Sequence, residues 1–139
     1  MGKLVCLLSG LMTMVFVAAG DAAGQSREVR IGTAAGLPGQ TVSIGVEIVA
    51  TGNENAIGFS LNFEPRILSS PVVAIGSGIA GGIINTNAGG AGAGTIGVAV
   101  ALPANQTIQP GVRQLITVTF NIANNVSAGE SKVHFGDVP

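Results

Sequence analysis

Four segments of this chain alternate apolar residues with polar or small ones, and that alternation limits the fold more than any other feature. Val42, Ile44, Val46 and Ile48 are separated by Ser43, Gly45 and Glu47. Ile57, Phe59, Leu61 and Phe63 alternate with Gly58, Ser60 and Asn62, and Ile96, Val98, Val100 and Leu102 with Gly97, Ala99 and Ala101. Ile116, Val118, Phe120 and Ile122 do the same with Thr117, Thr119 and Asn121. Successive side chains of an extended strand point to opposite faces, so a period of two predicts strands with one face in a core. Shorter runs at Val29 and Ile31, at Val72, Val73 and Ile75, and at Val133 and Phe135 bring the set to about seven or eight strands. No segment repeats its apolar residues at helical spacing.

Between the runs stand Leu37-Pro38-Gly39, Thr51-Gly52-Asn53, Glu64-Pro65, Ser70-Pro71, Gln109-Pro110-Gly111 and Ala128-Gly129. Proline presets one turn dihedral, and glycine or asparagine accepts a positive φ, so these read as turns. Short strands with frequent turns predict an all-β protein, an antiparallel β-sandwich. The glycine-rich stretch Gly76 to Gly94 reads as a long, mobile crossover within one sandwich, with a short extended segment in its middle. The phenylalanines beyond the N-terminal segment all fall in inward sets and are assigned to packing.

The first residues follow a different logic. Met1-Gly2-Lys3 carries one positive charge, Leu4 to Ala19 is uncharged and strongly apolar, and Ala18-Ala19-Gly20 and Ala22-Ala23-Gly24 close the run with small residues. This is the layout of a secretory signal peptide, and its apolar part is shorter than a bilayer requires. Residues 1–24 are therefore expected to be a signal peptide and residues 25–139 a single exported domain, secreted or at the cell surface. The one cysteine, Cys6, lies in the leader. The exported part then has no disulfide and depends on its packed core.

Composition removes several functions. Only 9% of the 139 residues are charged, 6 basic against 7 acidic, so the basic stripe that nucleic-acid binding needs is missing. Gly76-Ser77-Gly78-Ile79-Ala80-Gly81 matches G-x-G-x-x-G, yet no amphipathic helix follows and no acid occurs between Glu64 and Glu130. A nucleotide site needs both. The single histidine, His134, has inward neighbours Val133 and Phe135 and reads as an exposed strand residue, with Asp137 and Glu130 near it in sequence. Nothing in the spacing of Glu28, Glu47, Glu54, Glu64 and Glu130 pairs two of them as a glycosidase would. No catalytic residue, metal site or cofactor is expected. The sequons Asn105-Gln106-Thr107 and Asn125-Val126-Ser127 read as chance matches in polar turns.

Several segments, in order, resemble a known family. Val29-Arg30-Ile31-Gly32, Gly36-Leu37-Pro38-Gly39-Gln40-Thr41-Val42, and Ile57 through Phe63-Glu64-Pro65-Arg66-Ile67-Leu68 resemble the opening of a cohesin domain. In that family a G-x-P-G-[DQ]-x-V turn leads into the second strand, and an amphipathic strand ends in an aromatic-acid-Pro-x-x-Leu corner. Gly94-Thr95-Ile96-Gly97-Val98-Ala99-Val100 is similar to a later family strand, and Gln114 through Phe120 to another, followed by the Ser127-Ala128-Gly129 turn. The likeness runs over residues 27 to 138 and is carried by order and spacing more than by any one motif.

The resemblance implies a jelly-roll β-sandwich, related in fold to cellulose-binding modules, that is not an enzyme. Cohesins hold dockerin modules of partner proteins, commonly glycoside hydrolases, on an extracellular scaffold. Carried onto this chain, the dockerin face would present Gly58, Ser60 and Asn62, with Gly97, Ala99 and Ala101, and Leu115, Thr117, Thr119 and Asn121. Ala56 and Gly58 stand where dockerin-binding cohesins often have polar or acidic residues. A cohesin would also continue past Pro139 into one more strand beside the first. The expectation is a sandwich lacking its C-terminal strand, with the strand at Glu28 to Gly32 losing a neighbour and keeping one unpaired edge. Two other functions stay open, direct binding of polysaccharide and a purely structural surface role. The first is weakened by the absence of Trp and Tyr, the rings that usually stack on sugars.

Overall fold

The structure, a computed structural model, describes residues 10–12 and 27–136. The strands in chain order are β1 (Gly10–Met12), β2 (Glu28–Ile31), β3 (Thr41–Ala50), β4 (Ala56–Asn62), β5 (Leu68–Ile75), β6 (Ile83–Asn87), β7 (Thr95–Ala101), β8 (Gly111–Ile122) and β9 (His134–Gly136). They form a five-stranded sheet in the order β1-β2-β3-β8-β5 and a four-stranded sheet in the order β6-β7-β4-β9. Every pairing is antiparallel. The four alternating segments are the long strands β3, β4, β7 and β8, and their apolar sets meet between the sheets. Val42, Ile44, Val46 and Ile48 of β3 and Val118, Phe120 and Ile122 of β8 are buried with Leu61 of β4 and Ile96, Val98 and Val100 of β7. Phe63 packs on Phe120 with ring centroids 4.9 Å apart, and Phe59 meets Phe135 edge-on at 5.6 Å.

Most predicted turns form as turns. The Gln40 N–H donates to the Leu37 carbonyl at 3.0 Å across Pro38-Gly39, and Gly39 takes a positive φ of 79°. Ser70-Pro71 does not. It lies inside β5, where Ser70 has φ 51° and the register with β8 slips between Ser69 and Val72. β5 is an edge strand, where a residue without an N–H and an extra bulged residue leave no inner ladder broken.

The glycine-rich stretch is not a free crossover. It carries the chain from β5 in one sheet to β6 in the other through a 3-10 turn at Ser77–Ile79, and reaches β7 through a second at Ala91–Ala93. Ile79 enters the core at 2% exposure. The Gly76 N–H donates to the Leu115 carbonyl at 2.7 Å, and a Cβ at Gly76 would stand 2.5 Å from the Gln114 carbonyl oxygen. The G-x-G-x-x-G spacing thus arises from backbone lying directly on β8.

The edge at Glu28 to Gly32 also departs from expectation. β2 has a neighbour, because Gly10, Leu11 and Met12 of β1 pair with Ile31, Arg30 and Val29. The rest of the expected leader lies outside the described residues.

Candidate functional site

The residues expected to form one face divide between two. Gly58, Ser60 and Asn62 of β4 and Gly97, Ala99 and Ala101 of β7 lie together on the outer side of the four-stranded sheet, opposite the inward Leu61, Ile96, Val98 and Val100. Thr117, Thr119 and Asn121 lie on β8, on the outer side of the other sheet, where Thr119 meets Ser43 at 2.7 Å and Thr117 accepts from Gln114 Nε2 at 3.2 Å. The two groups face away from each other. Leu115 belongs to neither, being buried at 0% exposure. Val46 pairs with Ile116 and Glu47 with Gln114, so Leu115 is the extra residue of a β-bulge. A bulge resets the alternation, and here Leu115 and Ile116 both enter the core.

The register makes the four-stranded outer face a grid. Ala56, Ala101 and Ile83 form one row, Gly58, Ala99 and Asn85 the next, then Ser60, Gly97 and Asn87. The first two rows enclose a shallow apolar depression of about 330 Å³ walled by Ile83, which is 73% exposed. The other end is polar. Thr95 Oγ1 donates to Asn62 Oδ1 at 3.0 Å, and β9 sets His134 opposite Asn62 and Gly136 opposite Ser60. Gly136 lies so close that a Cβ there would be 2.5 Å from Ser60 Oγ, which is buried and has no hydrogen-bond partner. None of the four strands of this sheet contains Asp, Glu, Lys or Arg. Ile83 and Asn85 did not figure among the expected site residues. The only trace of them in sequence is an Ile-Ile pair inside the glycine-rich stretch, and its strand pairing depends on β7.

The polar side chains outside this face have other tasks. Glu54 is 7% exposed and accepts from the N–H groups of Thr51, Gly52 and Asn53 and from the Thr51 hydroxyl, at 2.7 to 3.2 Å. Burial pushes its carboxyl up, and hydrogen bonds from the Thr51 N–H and hydroxyl and from the Glu54 and Gly52 N–H groups outweigh this, lowering it to about 2. Arg27 completes the cluster at 2.7 Å. Glu54 therefore holds a loop together and has no capacity left as an acid or base. A second depression, about 310 Å³, is lined by Glu64, Glu130, Ser131, Lys132 and His134 among others. His134 is exposed, as its inward neighbours predicted. The Ser131 hydroxyl is sealed from solvent and unpartnered, so it offers no accessible nucleophile. Among the described residues no group of three or more His, Cys, Asp and Glu side chains converges. Asp137 lies outside the described residues.

No protein-family profile and no curated protein matches the chain. Solved structures do. One is a type I cohesin–dockerin complex from Clostridium thermocellum, similar at 15% identity and TM-score 0.67 over 80% of this chain and 82% of that one. Another is the second type II cohesin module of the ScaA adaptor scaffoldin of Acetivibrio cellulolyticus, at 14% identity and TM-score 0.64 over 82% and 73%. A non-cellulosomal cohesin from the archaeon Archaeoglobus fulgidus matches at 16% identity and TM-score 0.52 over 70% and 81%. This chain has a cohesin-like fold. At such identities the likeness concerns the fold, and two of the cohesin-like motifs lie where the chain turns between strands. After Phe63-Glu64-Pro65, the N–H groups of Ile67 and Leu68 donate to the Glu64 carbonyl at 3.1 and 2.9 Å, and the chain passes from β4 in one sheet to β5 in the other. The cohesin-like Gly94 closes the 3-10 turn before β7 with φ 85°, its carbonyl accepting from the Phe63 N–H at 2.8 Å.

Proposed function

We propose that this chain is a non-catalytic, exported protein-interaction module of cohesin type, and that its partner is a dockerin-like module seated on the outer face of β6-β7-β4-β9. The observation that supports the reading is the uncharged grid of Ala56, Gly58, Ala99 and Ala101 beside Ile83, in a fold shared with chains solved as cohesin–dockerin complexes. Alanine and glycine hold the strand surface low, so a partner helix or loop can approach the backbone closely, and Ile83 supplies an aliphatic anchor at the rim. The same face presents no Phe, Tyr or Trp ring, which favours a protein over a polysaccharide. An assembly on a cell surface or around polysaccharide is the setting that an exported module of this type would serve.

The test is capture by immobilised dockerin modules carrying paired calcium loops, with calcium and then with chelator. The expected result is calcium-dependent capture that Ala99→Arg weakens by about 100-fold and Asn121→Arg, on the opposite sheet, leaves unchanged. Capture lost with Asn121→Arg but kept with Ala99→Arg would move the interface to the other sheet. Sedimentation with cellulose or chitin in place of dockerin capture would replace the reading with polysaccharide binding.

A further inference from the structure

Glycine in the interior of a strand is destabilising, because it loses the most conformational freedom on folding and adds no side chain to the sheet. Where it stands there, the cause is a bulge, a backbone conformation closed to other residues, or something that approaches the backbone closely. Gly76 and Gly94 have causes inside the chain. A Cβ at Gly76 would stand 2.5 Å from the Gln114 carbonyl oxygen, and Gly94 has φ 85°. Gly58, in the middle of β4, has neither. Its φ lies outside the left-handed region, and a Cβ there would meet nothing nearer than the Val98 carbonyl oxygen at 3.8 Å, an ordinary contact. The pairing of β4 with β7 runs from Ala56 to Asn62 without a slip, so there is no bulge either. The fold has room for alanine at an exposed position that carries no side chain. Close approach by another molecule is the cause that remains.

Gly58 lies in the depression on the four-stranded sheet, with Ala56, Ala99 and Ala101 around it, Ile83 as the wall and Asn85 in its own row. At about 330 Å³ the depression is at the small end of the roughly 300 to 1,000 Å³ of binding pockets, room for one large side chain. Among the described residues, Asn85 is the only polar side chain in the lining. A charged group entering would lose its water and find no opposite charge. An aliphatic group would bury apolar surface against Ile83. We infer that Gly58 is a specificity-determining residue, and that the partner's anchor is one large aliphatic side chain seated on the β4 backbone at Gly58 and walled by Ile83. The inference rests on the proposed partner face and names the side chain that this face selects.

The test measures folding and dockerin capture on the same variants. Gly58→Ala is expected to raise the urea midpoint, since alanine fits the strand and narrows the unfolded ensemble. It should also weaken capture by about tenfold, the effect of one added methyl group in a matched pocket. Gly58→Val, equally suited to a strand, should weaken capture by about 100-fold. Each large aliphatic and each charged residue of the captured dockerin is then truncated to alanine. One aliphatic truncation should weaken capture by the wild type about 30-fold and leave capture by Gly58→Val almost unchanged. A wild type that captures no dockerin overturns the reading of the face, and the inference with it. Wild-type capture that Gly58→Val leaves intact overturns the inference alone. So does a Gly58→Ala variant less stable than the wild type, which would give the glycine a cause inside the fold. A scan in which a charged residue, or none, couples to position 58 does the same.

Discussion

Glu54 is the side chain whose role is furthest from what its sequence suggests. Read along the chain it is one of several scattered acids, with nothing to separate it from Glu47 or Glu64. In three dimensions it is the closure of the Thr51–Asn53 loop, taking three backbone N–H groups and a hydroxyl. Hydrogen bonds to an ionised, buried acceptor are the strong kind, and leaving their donors unpaired costs more than the bonds return. Glu54→Gln is expected to lower stability at neutral pH by about 2 kcal/mol, measured by urea unfolding. The pH dependence has a definite sign. The carboxyl is lowered from 4.5 in the open chain to about 2 in the folded one. Its contribution is therefore full above pH 4.5 and is lost as pH falls from 4.5 toward 2. The gap between the wild type and Glu54→Gln should narrow over that window, and a gap constant from pH 7 to pH 2 would remove the carboxylate from the account.

At the scale of single elements, the sequence is legible wherever alternation is unbroken and misleading where it is interrupted. β3 and β7 follow their period of two from end to end, while in β4 Ser60, read as outward, is buried beside Gly136 next to the inward Leu61. β8 breaks its period, because its bulge at Leu115 lies opposite the junction of Val46 and Glu47, and nothing within β8 alone marks that position. The alternation of Ile116, Val118 and Phe120, extended backwards, assigns Leu115 to solvent when it is core. Ser70-Pro71 shows the converse, since turn chemistry at an edge strand produced a bulge instead of a turn. The candidate face suffers from the same limit, since which strands share a sheet is decided by long-range pairing, and β8 pairs with β3 and β5. Leu115→Ala is expected to cost about 2 to 5 kcal/mol through lost burial and a residual cavity. Asn121→Ala, outward on the same strand, should stay within about 0.5 kcal/mol. Equal midpoints for the two variants in a denaturant titration would place Leu115 outside the core after all.

Across the whole molecule, charge is divided by sheet. The strands of the four-stranded sheet have no Asp, Glu, Lys or Arg, while the five-stranded sheet carries Glu28, Arg30, Glu47 and Arg113. The sequence contains the cause, an uncharged stretch from Ile67 to Val112 that supplies β5, β6 and β7. This division sets how the proposed partner contact should respond to salt. Contacts between charges are screened over a Debye length that falls from about 14 Å near 50 mM salt to about 4 Å near 500 mM, whereas packing of apolar surface is not weakened by salt. Partner capture on the four-stranded face should therefore change by less than about threefold across that range, and its association rate should be the unsteered one, about 10⁵ to 10⁶ per molar per second. The measurement is a salt series of association kinetics for the partner. A partner whose association slows by a factor of about ten or more with added salt is being steered by the charged sheet, and the uncharged face would then not be its seat.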